Sequence, residues 1–321
     1  MGERSFSAAT LDDVMRYAIE AIRKEGERVS NATKGANVEL RGVRLEITNP
    51  RARLSRTETR GKPFSCLGEL CWYLSGSKAV DFIAYYLPRY REFDEGGVVF
   101  GGYGPRLIAS AAGDQIVNVT TLLREKPDTR RAVIQLFEAR DILADHKDVP
   151  CTCTLQLLRR GEALHMIVSM RSNDVVVGLP HDVFCFTMLQ EVIARSLGVE
   201  LGTYTHFAGS LHLYDDTVKA AESFLEEGWQ PTTIEMPPMP AGDPWPAVAG
   251  LLKLEEMIRT SAPVADEEVN NLDVYWADIV RLLQIFRCTK PPRDLARMAK
   301  LREAVTSAVY HPYIDSKLRK A

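Results

Sequence analysis

Apolar positions recur at helical spacing near the start of the chain. Leu11, Val14, Met15, Ala18, Ile19 and Ile22 follow Thr10, whose hydroxyl suits an N-cap, so the pattern predicts an amphipathic helix. Over residues 38–47 the period shortens. Val38, Leu40, Val43, Leu45 and Ile47 roughly alternate with polar residues and predict a strand. Residues 67–74 are apolar except for Glu69 and run to Gly76, which predicts a buried helix carrying one acid. Residues 94–106 are rich in glycine and predict a loop.

The middle of the chain is dense in strands. Residues 132–137, 153–159 and 164–171 have strand length and apolar content, and Arg160-Gly161-Glu162 turns the last two into a hairpin. Val183, Met188, Leu189, Val192 and Ile193 predict a helix over residues 182–197, stopped by Gly198, with Asp182 as its default N-cap. A strand is predicted over 203–207 and a helix over 216–227. Prolines make 229–247 irregular, and the pattern from residue 267 onward is helical. No internal repeat or low-complexity tract interrupts this order. Helices interleave with strands in one continuous body, so the class is α+β and residues 1–321 form a single domain.

Composition narrows the function. The chain has 321 residues, enough to bury a large core without staples. Forty Lys and Arg against 43 Asp and Glu give a net charge of -3, which argues against a nucleic-acid coat. A small anion held by a few arginines remains open. The six cysteines, at 66, 71, 151, 153, 185 and 288, show no paired CxxC spacing, so neither a disulfide scaffold nor a metal site is expected. Met1-Gly2-Glu3-Arg4 opens no apolar leader, and no apolar run approaches the roughly 20 residues of a membrane span. The expectation is a cytoplasmic protein with no membrane partner.

Several residues carry candidate chemistry. Cys151 follows Pro150. A thiolate is a strong nucleophile where a cation lowers its pKa; otherwise the residue is a packed strand cysteine. Arg130 and Arg131 are adjacent and Arg171 ends a predicted strand, which suits either solvated surface or a phosphate. His212 and Tyr214 alternate and so face one side. Gly178-Leu179-Pro180-His181-Asp182 is a turn at a helix start. Singly, none of these decides a function.

Their order and spacing resemble the thymidylate synthase family. The resemblance runs through Val149-Pro150-Cys151, Arg171-Ser172-Asn173-Asp174, Val177-Gly178-Leu179-Pro180-His181-Asp182, His206 and His212-Leu213-Tyr214. The interval from Cys151 to Arg171 matches the family's spacing from nucleophile to phosphate arginine. Arg130-Arg131, Glu69 within Gly68-Glu69-Leu70-Cys71-Trp72, Tyr103-Gly104 and His311-Pro312 also match.

The resemblance implies a three-layer fold whose central mixed sheet is used for dimerisation. It implies a nucleoside monophosphate substrate and 5,10-methylenetetrahydrofolate as co-substrate. Cys151 would add to ring carbon 6 and make carbon 5 nucleophilic, covalent catalysis that splits one hard step into easier ones. Arg171 and Ser172 would hold the phosphate, and Arg171 would favour the ionised thiol. Arg130 and Arg131 would reach a partner's phosphate site in a homodimer, with Lys34 as a further phosphate-loop cation. His212 and Tyr214 would bind the sugar 3′-hydroxyl. Asp174 and Gly178 would contact the folate, Glu69 would order water and move protons, and Tyr103 would help remove the carbon 5 proton.

Departures from the family pattern sharpen the substrate. The family's base-reading asparagine is Asp182 here, preceded by His181 in place of phenylalanine. Cytosine reverses the donor and acceptor edge of uracil, and a carboxyl group sharing a proton can match it. Aspartate at this position is the feature of the related cytidylate hydroxymethylases. Thr152 replaces a histidine and Met170 a glutamine. Residues 88–93 offer Tyr90 and Phe93 but no tryptophan to shield the site from water, and the C-terminus is charged. The resemblance therefore implies a cytidylate 5-hydroxymethyltransferase acting on CMP or dCMP with water. The alternative is a synthase-like methylase of dUMP or a cytidylate, with folate as hydride donor. A catalytically dead relative that binds nucleotide or RNA is a third reading, against which the presence of Cys151, Glu69 and Arg171 weighs.

Overall fold

The computed structural model describes residues 4–32 and 34–320. A short strand, β1 (Ser5–Ala8), leads into α1 (Leu11–Glu25), where Thr10 accepts the amide N–H of Asp13 at 3.1 Å as the expected cap. The apolar stripe of α1 is buried through Val14, Met15, Ile19 and Ile22. After β2 (Glu27–Val29) the alternating segment forms β3 (Asn37–Ile47). The buried acid-bearing helix, α2 (Pro63–Leu74), starts four residues earlier than its apolar run because Pro63 suits a first turn. It is followed by α3 (Val80–Tyr86) and a 3-10 turn over Pro88–Phe93.

The glycine-rich stretch is a loop only as far as Gly102. Tyr103 opens a short helix, α4 (Tyr103–Ile108). Helix α5 (Gln115–Glu125), capped by Asp114, lies where no element was expected and buries Ile116, Val119, Thr120 and Leu123. Strand β4 (Val133–Gln135) is shorter than expected, and the hairpin of β5 (Thr152–Arg160) and β6 (Ala163–Asp174) is longer. Gly161 makes its turn at φ 57.

Helix α6 (Gly178–Leu197) begins four residues before Asp182, which therefore lies inside the helix and is not its N-cap. Strand β7 (Glu200–Tyr214) continues far beyond residue 207. Its register explains the extension: β6 and β7 stay paired through Ser172 with Ser210 and Asp174 with His212, so polar residues remain in strand. Helices α7 (Val218–Glu226), α8 (Trp245–Arg259), α9 (Asp266–Asn270), α10 (Val274–Cys288), α11 (Leu295–Ala304) and α12 (His311–Arg319) complete the chain.

The strands form one mixed sheet in the order β1-β3-β7-β6-β5-β4, with β2 also on β3. β1 with β3 and β6 with β7 are parallel, and the remaining pairs are antiparallel. One face carries Val43, Leu45, Leu155, Leu157, Met166, Val168, Tyr204 and Ala208, all buried. Each large side chain buried here contributes about 1.5–3 kcal/mol. Helices α1 and α6 pack on the sheet, α2 packs on α6, and α10 packs on α2. On the other face Thr154, Gln156, Ile167, Ser169 and Thr205 are only half-buried, and Phe207 is 41% exposed. Among the described residues no helix is long and apolar enough to cross a membrane, and no cluster of His, Cys, Asp or Glu could hold a metal.

Candidate active site

Cys151 lies just ahead of β5, and Arg171 of β6 straps it in place. The Arg171 amide donates to the Cys151 carbonyl at 2.9 Å. Its guanidinium donates to Pro150 O at 3.0 Å and Val149 O at 2.9 Å, and Nη2 sits 3.8 Å from the Cys151 sulfur. Cys153 is displaced by a bulge in the β5–β6 pairing. Burial nevertheless raises the Cys151 thiol above its ordinary value; Arg171 and Lys34 pull it down, while Asp148 and Asp182 push it up. The expected cationic help from Arg171 is present but is outweighed by desolvation.

Glu69 projects from α2 and is 4% exposed. Its Oε1 accepts the hydroxyls of Tyr73 at 3.0 Å and Tyr90 at 2.7 Å, while Oε2 is buried with no partner. Asp182 Oδ2 accepts from the Asn173 amide at 2.7 Å. Burial, and then the charge of Glu69, push the Asp182 carboxyl well above its ordinary value. Tyr103 accepts the Thr152 amide N–H at 3.1 Å and pairs with the Thr152 hydroxyl at 3.0 Å. Thr152, at the family's histidine position, thus fixes this phenol, which burial keeps neutral.

Asp174 ends β6. Its Oδ1 accepts the amides of Val176, at 2.8 Å, and Val177, and closes the turn into α6, while Oδ2 is buried without a partner. Its register partner His212 is 4% exposed, lies 3.5 Å from the Ser210 hydroxyl and meets the Tyr214 ring edge-on at 4.6 Å. Burial pushes Asp174 up and His212 down, each toward its neutral form. Ser172 lies half-buried next to Arg171, and Gly178 opens α6. Lys34 pairs with Asp148 at 2.8 Å and lies 4.3 Å over the Phe93 ring.

Arg130 and Arg131 are not brought to this group. Both are exposed ahead of β4. The next residue, Ala132, accepts from Leu157, which lies roughly 20 Å along β5 from Cys151. Sequence reasoning also missed residues that matter here. Asn173 stands in the matched run from Arg171 to Asp174 but was given no role there, and Tyr73 and Asp148 gave no signal; their importance comes from the partners the fold brings to them. Arg60 and Lys62 at the start of α2, with Lys317 and Lys320 near the end of the chain, form a cationic group; Lys62 and Lys317 are shifted down by desolvation and mutual repulsion.

A nucleophile beside a guanidinium, a carboxyl pushed toward its neutral form, a second acid with one open oxygen and a third with its own open oxygen can together hold and polarise a small polar ring. The family model described as thymidylate synthase matches residues 15–239. A deoxyuridylate hydroxymethyltransferase of Pseudomonas phage M6 is 32% identical over 201 residues, covering 60% of this chain and 57% of that protein. One from Bacillus phage SP01 is 32% identical over 228 residues, covering 66% and 59%. A putative thymidylate synthase of Methanocaldococcus jannaschii is 29% identical over 206 residues, covering 62% and 85%. The chain thus spans less than two thirds of the length of these phage relatives.

Proposed function

The chain belongs to the thymidylate synthase family, and from that premise we propose that it is a cytidylate 5-hydroxymethyltransferase. A cytidine monophosphate, 5,10-methylenetetrahydrofolate and water would give the 5-hydroxymethyl nucleotide and tetrahydrofolate. The observation that carries the substrate is Asp182, a half-buried carboxyl that desolvation pushes toward its protonated form where the family reads the base. A carboxylic acid donates to the cytosine ring nitrogen and accepts from its amino group.

In this scheme Cys151 adds to carbon 6 through sulfur. Arg171 and Ser172 hold the phosphate, and the Nη2–sulfur distance of 3.8 Å supports the pairing of nucleophile and anion site. Lys34 is a second cation on the phosphate side. His212 and Tyr214 bind the sugar. Glu69, with Oε1 held by two phenols and Oε2 open, orders the attacking water and moves protons. Tyr103 steers the carbon 5 proton. The folate supplies the one-carbon unit. Asp174 fits its pterin, since the buried Oδ2 lacks a partner, with Gly178 alongside. The half-covered sheet face around Phe207 supports a homodimer in which Arg130 and Arg131 serve the partner's site.

Hydroxymethylation over methylation is supported by the names of the phage relatives and by the lack of a tryptophan within residues 88–93, where Tyr90 instead donates to Glu69. A second reading, hydroxymethylation of deoxyuridylate, is favoured by the same names. The test supplies CMP, dCMP and dUMP in turn with methylenetetrahydrofolate and follows both products. Hydroxymethylcytidylate with no absorbance gain from dihydrofolate is expected. Dihydrofolate would mean methylation, and preferred turnover of dUMP would select the second reading. Cys151→Ala should abolish carbon 5 proton exchange while Cys153→Ala retains it.

A further inference from the structure

A neutral carboxyl group alone does not choose between pyrimidines. With its proton on one oxygen it matches cytosine, and with the proton on the other it matches uracil. Selectivity therefore needs a neighbour that fixes the proton. Among the described residues, Asn173 is the one whose side chain bonds to the Asp182 carboxyl. It lies on β6, 4% exposed, and its Nδ2 donates to Asp182 Oδ2 at 2.7 Å. An oxygen that accepts this bond is held as the acceptor, which leaves the acid proton to Oδ1. The Asn173 Oδ1 atom is buried without a partner. Half a turn of the amide would present that oxygen and require the proton on Asp182 Oδ2 instead. Gly178 leaves the room this pair occupies. A Cβ there would come 3.1 Å from Asn173 Nδ2 and 3.7 Å from Asp182 Oδ2.

We infer that Asn173 is a positioning residue that fixes which oxygen of Asp182 carries the acid proton, and so sets which pyrimidine the site accepts. This rests on Asp182 being the base-pairing group. The titratable groups near Asp182 are Glu69 and Cys66 of α2, Tyr103 of α4, Cys151 ahead of β5, Cys185 of α6 and Tyr204 of β7. Burial keeps the thiols and phenols neutral, and Glu69 opposes a second charge. The Asn173 amide favours the ionised form of Asp182.

The test measures kcat/KM and dissociation constants for dCMP and dUMP in the wild type, Asn173→Ala, Asp182→Asn and the double variant. Asn173→Ala is expected to bring the dCMP-to-dUMP ratio roughly tenfold or more toward one, because a misplaced proton leaves a mispaired polar group. It is also expected to move the alkaline fall of dCMP turnover to higher pH. In the Asp182→Asn background the same change should alter the ratio less than about twofold, since the proton it governs is gone. Should Asn173→Ala fail to fold, Asn173→Ser carries the same expectation. An equal loss on both substrates, with ratio and alkaline limb unmoved, overturns the inference and leaves the cytidylate reading intact. A wild type that prefers dUMP overturns the cytidylate reading, while a ratio that Asn173→Ala moves toward one from that side still upholds the pair.

Discussion

Helix α6 carries one fully buried acid, Glu191, and one half-buried acid, Asp182, and treats them differently. Glu191 is fully buried, as is its partner Arg53. Its Oε2 meets the Arg53 guanidinium at 2.6 Å, and its Oε1 accepts the Met239 amide at 2.8 Å. Asp182, about 13 Å back along the helix, has one amide N–H and no cation. Glu69 beside it has two phenols on one oxygen and nothing on the other. The acid that holds the fold together has its charge neutralised and both oxygens occupied. In the candidate site, Glu69 and Asp174 each keep one buried oxygen without a partner, which costs stability and keeps valences open for a ligand.

The largest test of this contrast is Glu191→Gln. It would leave the Arg53 charge buried without a counter-ion, an expected loss of about 3–5 kcal/mol in urea unfolding. Asp182→Asn should cost nothing comparable. A carboxyl whose folded pKa is raised binds its proton more tightly in the folded chain, so its contribution to stability declines as pH rises above the unfolded value. Near pH 8 the Asp182→Asn variant should therefore unfold no earlier than the wild type. Equal losses in the two variants would erase the distinction between the ends of α6.

Asp12 shows that an open oxygen alone does not mark a site. It sits on α1, where its Oδ2 accepts the Arg56 amide at 2.7 Å and its Oδ1 is buried without a partner. Burial raises its carboxyl from 3.8 to about 6. It therefore binds a proton in the folded chain that the unfolded chain has released across that interval. Its stabilisation is complete below about pH 4 and is lost as pH rises to about 6, by roughly 3 kcal/mol at most. Asp12→Asn should flatten this segment of the stability profile without changing the preference between pyrimidines. A changed preference would mean that strain at α1 reaches the site.

The same contrast explains what the sequence could reveal. Helix α1 and strand β3 follow from local periodicity and appear where their patterns place them. Cys151, Arg171, Glu69 and Asp182 stand in spacings that point to one family, and the fold gathers them. The polar ends of β6 and β7 were not legible, because pairing to a neighbour keeps Ser172, Asp174 and His212 in strand against their own preferences. Asp182 looked like a cap because a helix start was read one turn late. Asn173 stood in the matched run but its role did not show, for a different reason: its bond spans nine positions, and nothing in the asparagine itself tells which acid it will meet.

The smallest expected effect concerns the two phenols on Glu69. Tyr73 comes from the same helix four residues on, while Tyr90 comes from the 3-10 turn over Pro88–Phe93. Both donate to Oε1, so removing either leaves that oxygen one donor and should cost about 1 kcal/mol. Where that cost falls separates the two kinds of acid. If Glu69 were structural in the manner of Glu191, Tyr90→Phe would lower the unfolding midpoint and leave turnover alone. An acid that aims its open oxygen at water should instead lose aim: kcat should fall several-fold, KM should stay nearly level, and the midpoint should hardly move. Tyr73→Phe should do the same but also lower the midpoint, because Tyr73 is buried within the core. Equal kcat losses with unequal stability losses would place both phenols in service of one oxygen, with only Tyr73 also supporting the fold.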